Sequence, residues 1–469
     1  MTHPLTATAI AAAVRSGGLS ARLAVEVALA RIGTVQPALN CFTEVYGEEA
    51  LVQAATIDAL PLDRRAGLAL CGVPIAIKDF TPIAGKRTTF GSKVFRDHVA
   101  DADPVIVRRL KAAGAIVVGH TTTPEFAYSG YTHSPLWGIT RNPWNMGRTP
   151  GGSSGGSGAA VAAGCVPLAE GTDMGGSVRI PGSLCGIVGM KPSFGRIPLD
   201  ISRTQYDSLA HFGPLARTVD DAALFLSVTA GPDDADVFSL PSAPSVLPLP
   251  SLEAPRLAVS PDLDVYATSP AVAALFEATV EALAAAGARI ERVRTPFTRG
   301  HIEDQDALWA YCFAGDFGHL LEEHEAELDP GVVRLIRAGR RLDAVALRAI
   351  EHRRTALWRA FAPLVAGYDA LLCPTTCDTA RPVEAFDDPS VTMPDGRLYT
   401  QSMTEPFNLV SACPVVSVPM GLAADGLPAG MQVVARRHDD ARALAVAKWI
   451  EGVRPWSFPT GLGEAAPVS

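Results

Sequence analysis

Two short apolar runs, VPIAI at 73–77 and AIVVG at 115–119, constrain the fold of this chain more than any other feature. Each is too short for a helix and too continuous for a strand with one wet face, so each reads as a strand buried on both sides. Between them, ADPVIVRRLKAAG supplies Asp103 as a helix N-cap, Pro104 at the first helical position, apolar residues at 106, 107 and 110, and Gly114 as a stop. Strand, helix, strand in this order is a βαβ unit, which requires a parallel pair.

The remaining elements fit around that unit. Residues 5–32 read as two amphipathic helices broken at Gly17 and Gly18, with Ser20 capping the second. A small-residue helix, GSGAAVAAG, precedes the apolar run CVPLA. The stretch SPAVAALFEATVEALAAAGARI reads as a long helix opening at Ser269 and Pro270, closing at Gly287, and packing through Val272, Leu275, Phe276 and Leu283. YDALLCP, CPVVSVPMG and GMQVVA read as strands, the last two joined around Asp425-Gly426, a hairpin signal. The expected fold class is α/β, with a central mixed β-sheet flanked by helices on both faces. One domain over 1–469 is expected: a helical lead-in at 1–65, a core at 70–230, a Pro-rich surface connector at 231–256, and the rest of the sheet and a substrate-pocket cover at 257–469.

Composition excludes some partners. A formal charge of −9, with lysine only at 78, 86, 93, 111, 191 and 448, leaves no basic field for nucleic acid. Eight cysteines are scattered without CxxC pairs, so zinc is disfavoured and free thiols in a reducing cytoplasm are expected. The N-terminus lacks a basic region before its apolar run, and no segment gives about 18 uninterrupted apolar residues. A soluble, uncleaved protein without membrane contact is expected.

The chemistry concentrates in two loops. TPGGSSGGSGAA, residues 149–160, sits inside the α/β layer, where a flexible linker has no place, and it lacks the lysine and following Ser/Thr of a phosphate cradle. Its GGSSG also satisfies the G-x-S-x-G nucleophile elbow, and histidines lie downstream, so spacing leaves that triad open. The second loop is GTDMGGSVR, 171–179. Two glycines before Ser177 let several N–H groups converge on one point, and a helix starting at Ser177 would add its positive end.

A serine needs a base. Lys78 ends an apolar strand, and burial there would lower its pKa toward the working pH. The plainer readings are an exposed Lys78–Asp79 pair and glycine loops that are merely tight turns.

Taken in order, GVPIAIKD, PGGSSGGSGAAVAAG, GTDMGGSVRIPGSLCGIVGMKPSFGR, FGPLART, YDALLCPT and GLPAGMQVV resemble the amidase signature family from about residue 5 to residue 455. The resemblance implies that family's fold and a Ser-cisSer-Lys triad: Ser177 as nucleophile, Ser153 as bridging serine after a cis peptide, and Lys78 as base. It also implies that Ser154 supports the network around the lysine. The N–H groups of Met174, Gly175, Gly176 and Ser177 would form an oxyanion hole, and Asp173 would pair with Arg179 to hold that loop. No metal or organic cofactor is needed. Two departures from the family pattern are GHTT at 119–122 and Met174, which adds apolar bulk; His120 reads as a packed histidine.

The implied activity is hydrolysis of small neutral aryl or alkyl amides through an acyl-enzyme, with anilides, esters and carbamates (urethanes) as further substrates, by a monomer or homodimer. The expected pocket is Phe80, Phe126, Tyr128, Tyr131, Leu136, Trp309, Phe313 and Phe407, residue types equally at home in plain core. Whether residues 300–330 form a mobile lid is left open by the sequence. Two competing functions are the glutaminase subunit of a tRNA-dependent amidotransferase and a non-catalytic binding module. Acidic charge and RIPG after Ser177 stand against the first, and intact Lys78, Ser153 and Ser177 against the second.

Overall fold

The two apolar runs become neighbours near the middle of one arm of a large sheet. A computed structural model describes residues 6–385 and 390–460. Among them, eleven strands form one sheet: β1 Phe42–Val45, β2 Pro74–Lys78, β3 Ile116–Thr121, β4 Leu168–Asp173, β5 Val188–Lys191, β6 His211–Ala216, β7 Arg256–Val259, β8 Arg289–Arg292, β9 Ala370–Pro374, β10 Val415–Leu422 and β11 Pro428–Val434. Their order is β1-β3-β2-β4-β6-β5-β10-β11-β9-β7-β8. β2 runs parallel to β3 and β4, and β7 parallel to β8 and β9; the other pairings are antiparallel. The α/β class and the mixed sheet are as the sequence predicts. Because β5 pairs with β10, one sheet runs through both halves of the chain.

Alternation along the strands shows why both faces are covered. Leu257 and Val259, Leu372, Val416 and Val433 enter one core, with Val272, Phe276 and Leu283 of helix Pro270–Ala285 and Leu444 and Ile450 of helix Asp440–Val453. Their neighbours Ala258, Leu371, Val415 and Val434 enter another, with Leu357, Phe361 and Val365 of helix Ala344–Ala366. Period-two side chains on continuously apolar strands demand two apolar layers.

Helix boundaries depart from the sequence reading in instructive ways. The βαβ helix is Val105–Ala112, with Pro104 at the cap position. Asp103 is not the cap: its carboxylate takes the Ala84 N–H at 2.8 Å and the Lys111 ammonium at 2.7 Å, while Asp200 accepts from the Val105 N–H at 2.9 Å. The lead-in helices are Ala7–Ser16 and Ala21–Leu39, broken at Gly17 (φ 78°), and Ser20 caps the second as predicted. That helix continues past Arg31 because Pro37 lies within it without ending it. The loop Ala423–Leu427 joins β10 to β11 around Asp425-Gly426, and the hairpin forms. No helix among the described residues is long and apolar enough to cross a membrane.

The small-residue helix Gly155–Ala162 lies so close to β3 that a Cβ on Gly156 would fall 2.4 Å from the Thr122 nitrogen. Backbone cannot yield as a side-chain tip can. Gly156→Ala is therefore expected to destabilise the fold by about 1–3 kcal/mol, read as a lowered midpoint in urea unfolding; an unchanged midpoint would contradict this packing.

Candidate active site

Strand direction assembles the site. β2 and β4 are parallel neighbours, so Lys78 and Asp173, their last residues, reach the same edge of the sheet, where α/β folds place their ligands. The serine loop and the glycine loop meet there. The Ser154 N–H donates to the Ser177 carbonyl at 3.1 Å, tying one loop to the other. The peptide between Gly152 and Ser153 is cis, as the resemblance implied.

Lys78 is fully buried. Its Nζ donates to Ser153 Oγ at 2.6 Å and to Thr172 Oγ1 at 2.8 Å. Burial drives its pKa down to about 7, against the pull of the Glu170 and Asp173 carboxylates, which favour the ammonium. The Phe80 ring centroid lies 5.7 Å from Nζ, adding an apolar wall. The exposed Lys78–Asp79 pair does not exist. Asp79, in the turn just after β2, is buried on its own and accepts the Thr89 N–H at 2.8 Å and the Thr89 hydroxyl. Burial raises Asp79 to about 7.

Three further residues complete the lysine's surroundings. Ser154 Oγ bonds the Thr172 backbone, at 3.3 Å to both its N–H and its carbonyl, so Ser154 acts on the lysine through Thr172. Glu170, two residues before Thr172 on β4, accepts the Lys78 backbone N–H at 2.9 Å and the Thr81 hydroxyl at 2.9 Å. Burial raises this carboxyl to about 7 against those two donors. Sequence reading missed Thr172 and Glu170. Two polar side chains at period two, after the apolar Leu168 and Ala169, were the available signal.

The glycine loop is held from all sides. Asp173 accepts from the Gly176 N–H at 3.0 Å, the Val178 N–H at 3.3 Å, and both Nε and Nη2 of Arg179 at 2.9 and 2.8 Å. Burial alone would raise the Asp173 pKa, but the Arg179 guanidinium holds it well below the usual carboxylate range. Arg179, itself buried, also donates to the Thr404 carbonyl and Gln432 Oε1 at 2.8 Å and to Asn408 Oδ1 at 2.6 Å. The expected Asp173–Arg179 pair is thus the centre of a larger network. Asn408, Gln432 and Thr404 carry no local sequence signal, since they come from distant elements.

Two expectations about this loop need correction. The helix begins at Arg179, not Ser177, and ends at Leu184. Of the four expected oxyanion donors, Gly176 has its N–H turned to Asp173, so it is not available to a ligand. Each loop carbonyl also has a donor: Gln305 Nε2 for Met174 at 3.0 Å, Thr404 Oγ1 for Gly175 at 2.6 Å, the Ile180 N–H for Gly176 at 2.7 Å, and the Ser154 N–H for Ser177. Peptide planarity then turns the Gly175 and Ser177 N–H groups away from those anchors. A Cβ on Gly176 would fall 2.0 Å from Thr404 Oγ1, whereas one on Gly175 would meet nothing within 4 Å. The open side of the loop is at Gly175.

The expected aromatic pocket divides. Phe407 is core, packed with Phe297 and Phe361. Phe126 is core as well, stacked on Phe317 with centroids 4.0 Å apart, and Phe313 is buried in the same cluster. Tyr131 is buried beside Gly152, and Tyr128 is tied to Asp329 by its hydroxyl at 3.0 Å. Phe80, Leu136 and Trp309 remain half-buried, and of the eight only Phe80 is placed against the lysine. His120 is a packed histidine, as expected: Tyr46, the Arg87 carbonyl and the Thr81 carbonyl surround it, and burial lowers its pKa to about 4.

Comparison with known proteins agrees with this geometry. The Amidase family profile matches residues 24–444, and the chain belongs to that family of carbon–nitrogen hydrolases. It is 36% identical over 466 residues to an acylamidase of Rhodococcus erythropolis, covering 97% of this chain and 96% of that one. It is 37% identical over 465 residues to one component of the glutamyl-tRNA(Gln) amidotransferase of Symbiobacterium thermophilum, covering 92% of this chain and 93% of that one. The crystal structure of a bacterial aryl acylamidase of the amidase signature family superposes with a TM-score of 0.91 at 27% identity, covering 99% of both chains.

Removing Asp173 would leave the buried Arg179 without its carboxylate. Asp173→Ala is expected to cost about 3–5 kcal/mol of folding stability; calorimetry showing a near-native Tm would mean that the pair does not hold the loop.

Proposed function

We propose that the protein is a serine amidohydrolase that cleaves small neutral aryl or alkyl amides through an acyl-enzyme on Ser177, and that anilides, esters and carbamates react by the same steps. The observation that carries the reading is the buried Lys78 amine 2.6 Å from Ser153 Oγ, with its pKa lowered to about 7. A neutral amine at that spot can take a proton from Ser153 as Ser153 takes one from Ser177, whose Oγ attacks the substrate carbonyl. The oxyanion is received by the Gly175 and Ser177 N–H groups. Ser153 then returns a proton to the leaving nitrogen as the carbon–nitrogen bond breaks. Water repeats the sequence on the ester, releasing a carboxylic acid and free Ser177.

Substrate neutrality is supported by what flanks the lysine and the loop. Phe80 stands over Lys78, and half-buried Met174 packs with the apolar cluster around Phe297 and Phe407. The similarity to an acylamidase points the same way. The amidotransferase reading draws on comparable identity and differs in requiring glutamine. A hydrolysis panel of neutral aryl amides, anilides, carbamates, p-nitrophenyl esters and glutamine, run on wild type and Ser177→Ala, separates them. Cleavage of the neutral substrates by wild type alone is expected; glutamine as sole substrate, or full activity in the alanine variant, sinks the proposal.

The lysine's role fixes the pH dependence. The active form is the unprotonated amine, which dominates above its pKa, so kcat/KM is expected to rise through about pH 7 and then level. Lys78→Met is expected to lower kcat/KM by roughly 10²–10⁴-fold, checked by stopped assays across pH 5–10; a profile already flat at pH 5–6 would remove Lys78 as the base.

A further inference from the structure

Helix Arg299–Phe317 makes up much of the segment for which the sequence leaves a mobile lid open, and two of its side chains anchor it. Asp304 receives Nε and Nη2 of Arg353 on helix Ala344–Ala366, with Nε at 2.8 Å. Gln305, 2% exposed, donates its Nε2 to the Met174 carbonyl at 3.0 Å. Its other amide atom, Oε1, is buried and has no hydrogen-bond partner among the described residues. A buried glutamine that satisfies one atom and strands the other is a poor structural choice, since an apolar side chain of the same length would pack there without that cost.

We infer that Gln305 is a positioning residue for the oxyanion loop, fixing the Met174–Gly175 peptide so that the Gly175 N–H faces the reacting carbonyl. The peptide is trans and planar, so holding the Met174 oxygen toward the helix sends the Gly175 N–H the opposite way. The other loop carbonyls are held by the catalytic core or its hydroxyl neighbour: Gly175 by Thr404, Gly176 by the Ile180 N–H, Ser177 by Ser154. Met174 alone relies on a donor from the covering helix, and its peptide is the one whose N–H borders the open side of the loop at Gly175. The seating of this helix is thereby coupled to the geometry that stabilises the transition state, not only to the shape of the pocket.

The inference rests on Ser177 being the nucleophile, which the Ser177→Ala panel tests separately. Gln305→Met keeps the length, removes the donor and removes the stranded oxygen. Expected are an unchanged or raised Tm, kcat lowered about tenfold with KM within about twofold, and a boronic acid inhibitor, which forms an anionic tetrahedral adduct on the serine, weakened by a similar factor. Binding of the product carboxylic acid should not change. If kcat stays within about twofold of wild type, or falls while boronic acid affinity is retained, Gln305 does not position the loop. Should the methionine variant fail to fold, Gln305→Glu, which is isosteric and loses the donor when ionised, is read by the same two measurements.

Discussion

The site depends on the cost of burying an amine. A lysine side chain ordinarily keeps its charge in water, and here the last residue of a fully buried strand has no route to it. Desolvation makes the neutral amine accessible near pH 7, and only a neutral amine can take a proton from a neighbouring serine. The surrounding fold serves that condition. β3 and β4 close both sides of β2, and the hydroxyls of Ser153 and Thr172 supply dipoles without a compensating charge in direct contact.

A second constraint acts on the glycine loop, where peptide geometry turns the Gly175 and Ser177 N–H groups away from the anchored carbonyls. Backbone donors left open are tolerable only if the carbonyls of the same peptides are anchored, or the loop will rotate to satisfy itself. Gln305 and the Ile180 N–H hold those carbonyls, at Met174 and Gly176, while Asp173, Arg179, Thr404, Asn408 and Gln432 hold the rest of the loop, drawn from β4, the short helix Arg179–Leu184, the segment before β10, and β11. The charge pair at its centre is fully buried, an arrangement that seldom adds net stability over an apolar packing but fixes one geometry firmly.

What the sequence reveals follows from how far apart the interacting residues lie. The buried strands, the βαβ unit, the hairpin at Asp425-Gly426 and the cap at Ser20 depend on neighbours within a few residues, and all were legible. Lys78, Ser153 and Ser177 were singled out by long, ordered motifs and by resemblance, and the structure puts Lys78 against Ser153 and the Ser177 carbonyl against Ser154. The Asp103 cap failed because a tertiary partner, Asp200, reached the helix start first. The aromatic pocket divides for a related reason: residue type cannot say whether a phenylalanine faces a cleft or a core, and Phe126 and Phe407 pack against rings from distant parts of the chain while Phe313 is buried in the cluster with Phe126. Gln305 was invisible because neither its type nor local spacing distinguishes a residue that acts across 131 positions of sequence.

Glu170 shows how closely opposed effects are balanced at the centre. Its carboxyl and the Lys78 amine are both buried, and the same desolvation pushes the acid's pKa up and the amine's down, each toward the neutral form. Their mutual attraction works against this by favouring the ion pair. Were the attraction to dominate, Lys78 would rest as an ammonium and could not act as a base at neutral pH. Geometry limits that attraction. Glu170 spends its two oxygens on the Lys78 backbone N–H and the Thr81 hydroxyl, while Nζ, at the far end of the same residue, turns to Ser153 and Thr172. The acid is thus close enough to fix the strand end and is held off the amine by the length of the side chain it anchors. A carboxylate in direct contact with Nζ would have raised the lysine's pKa; one tied to its main chain sets its position and leaves the amine available.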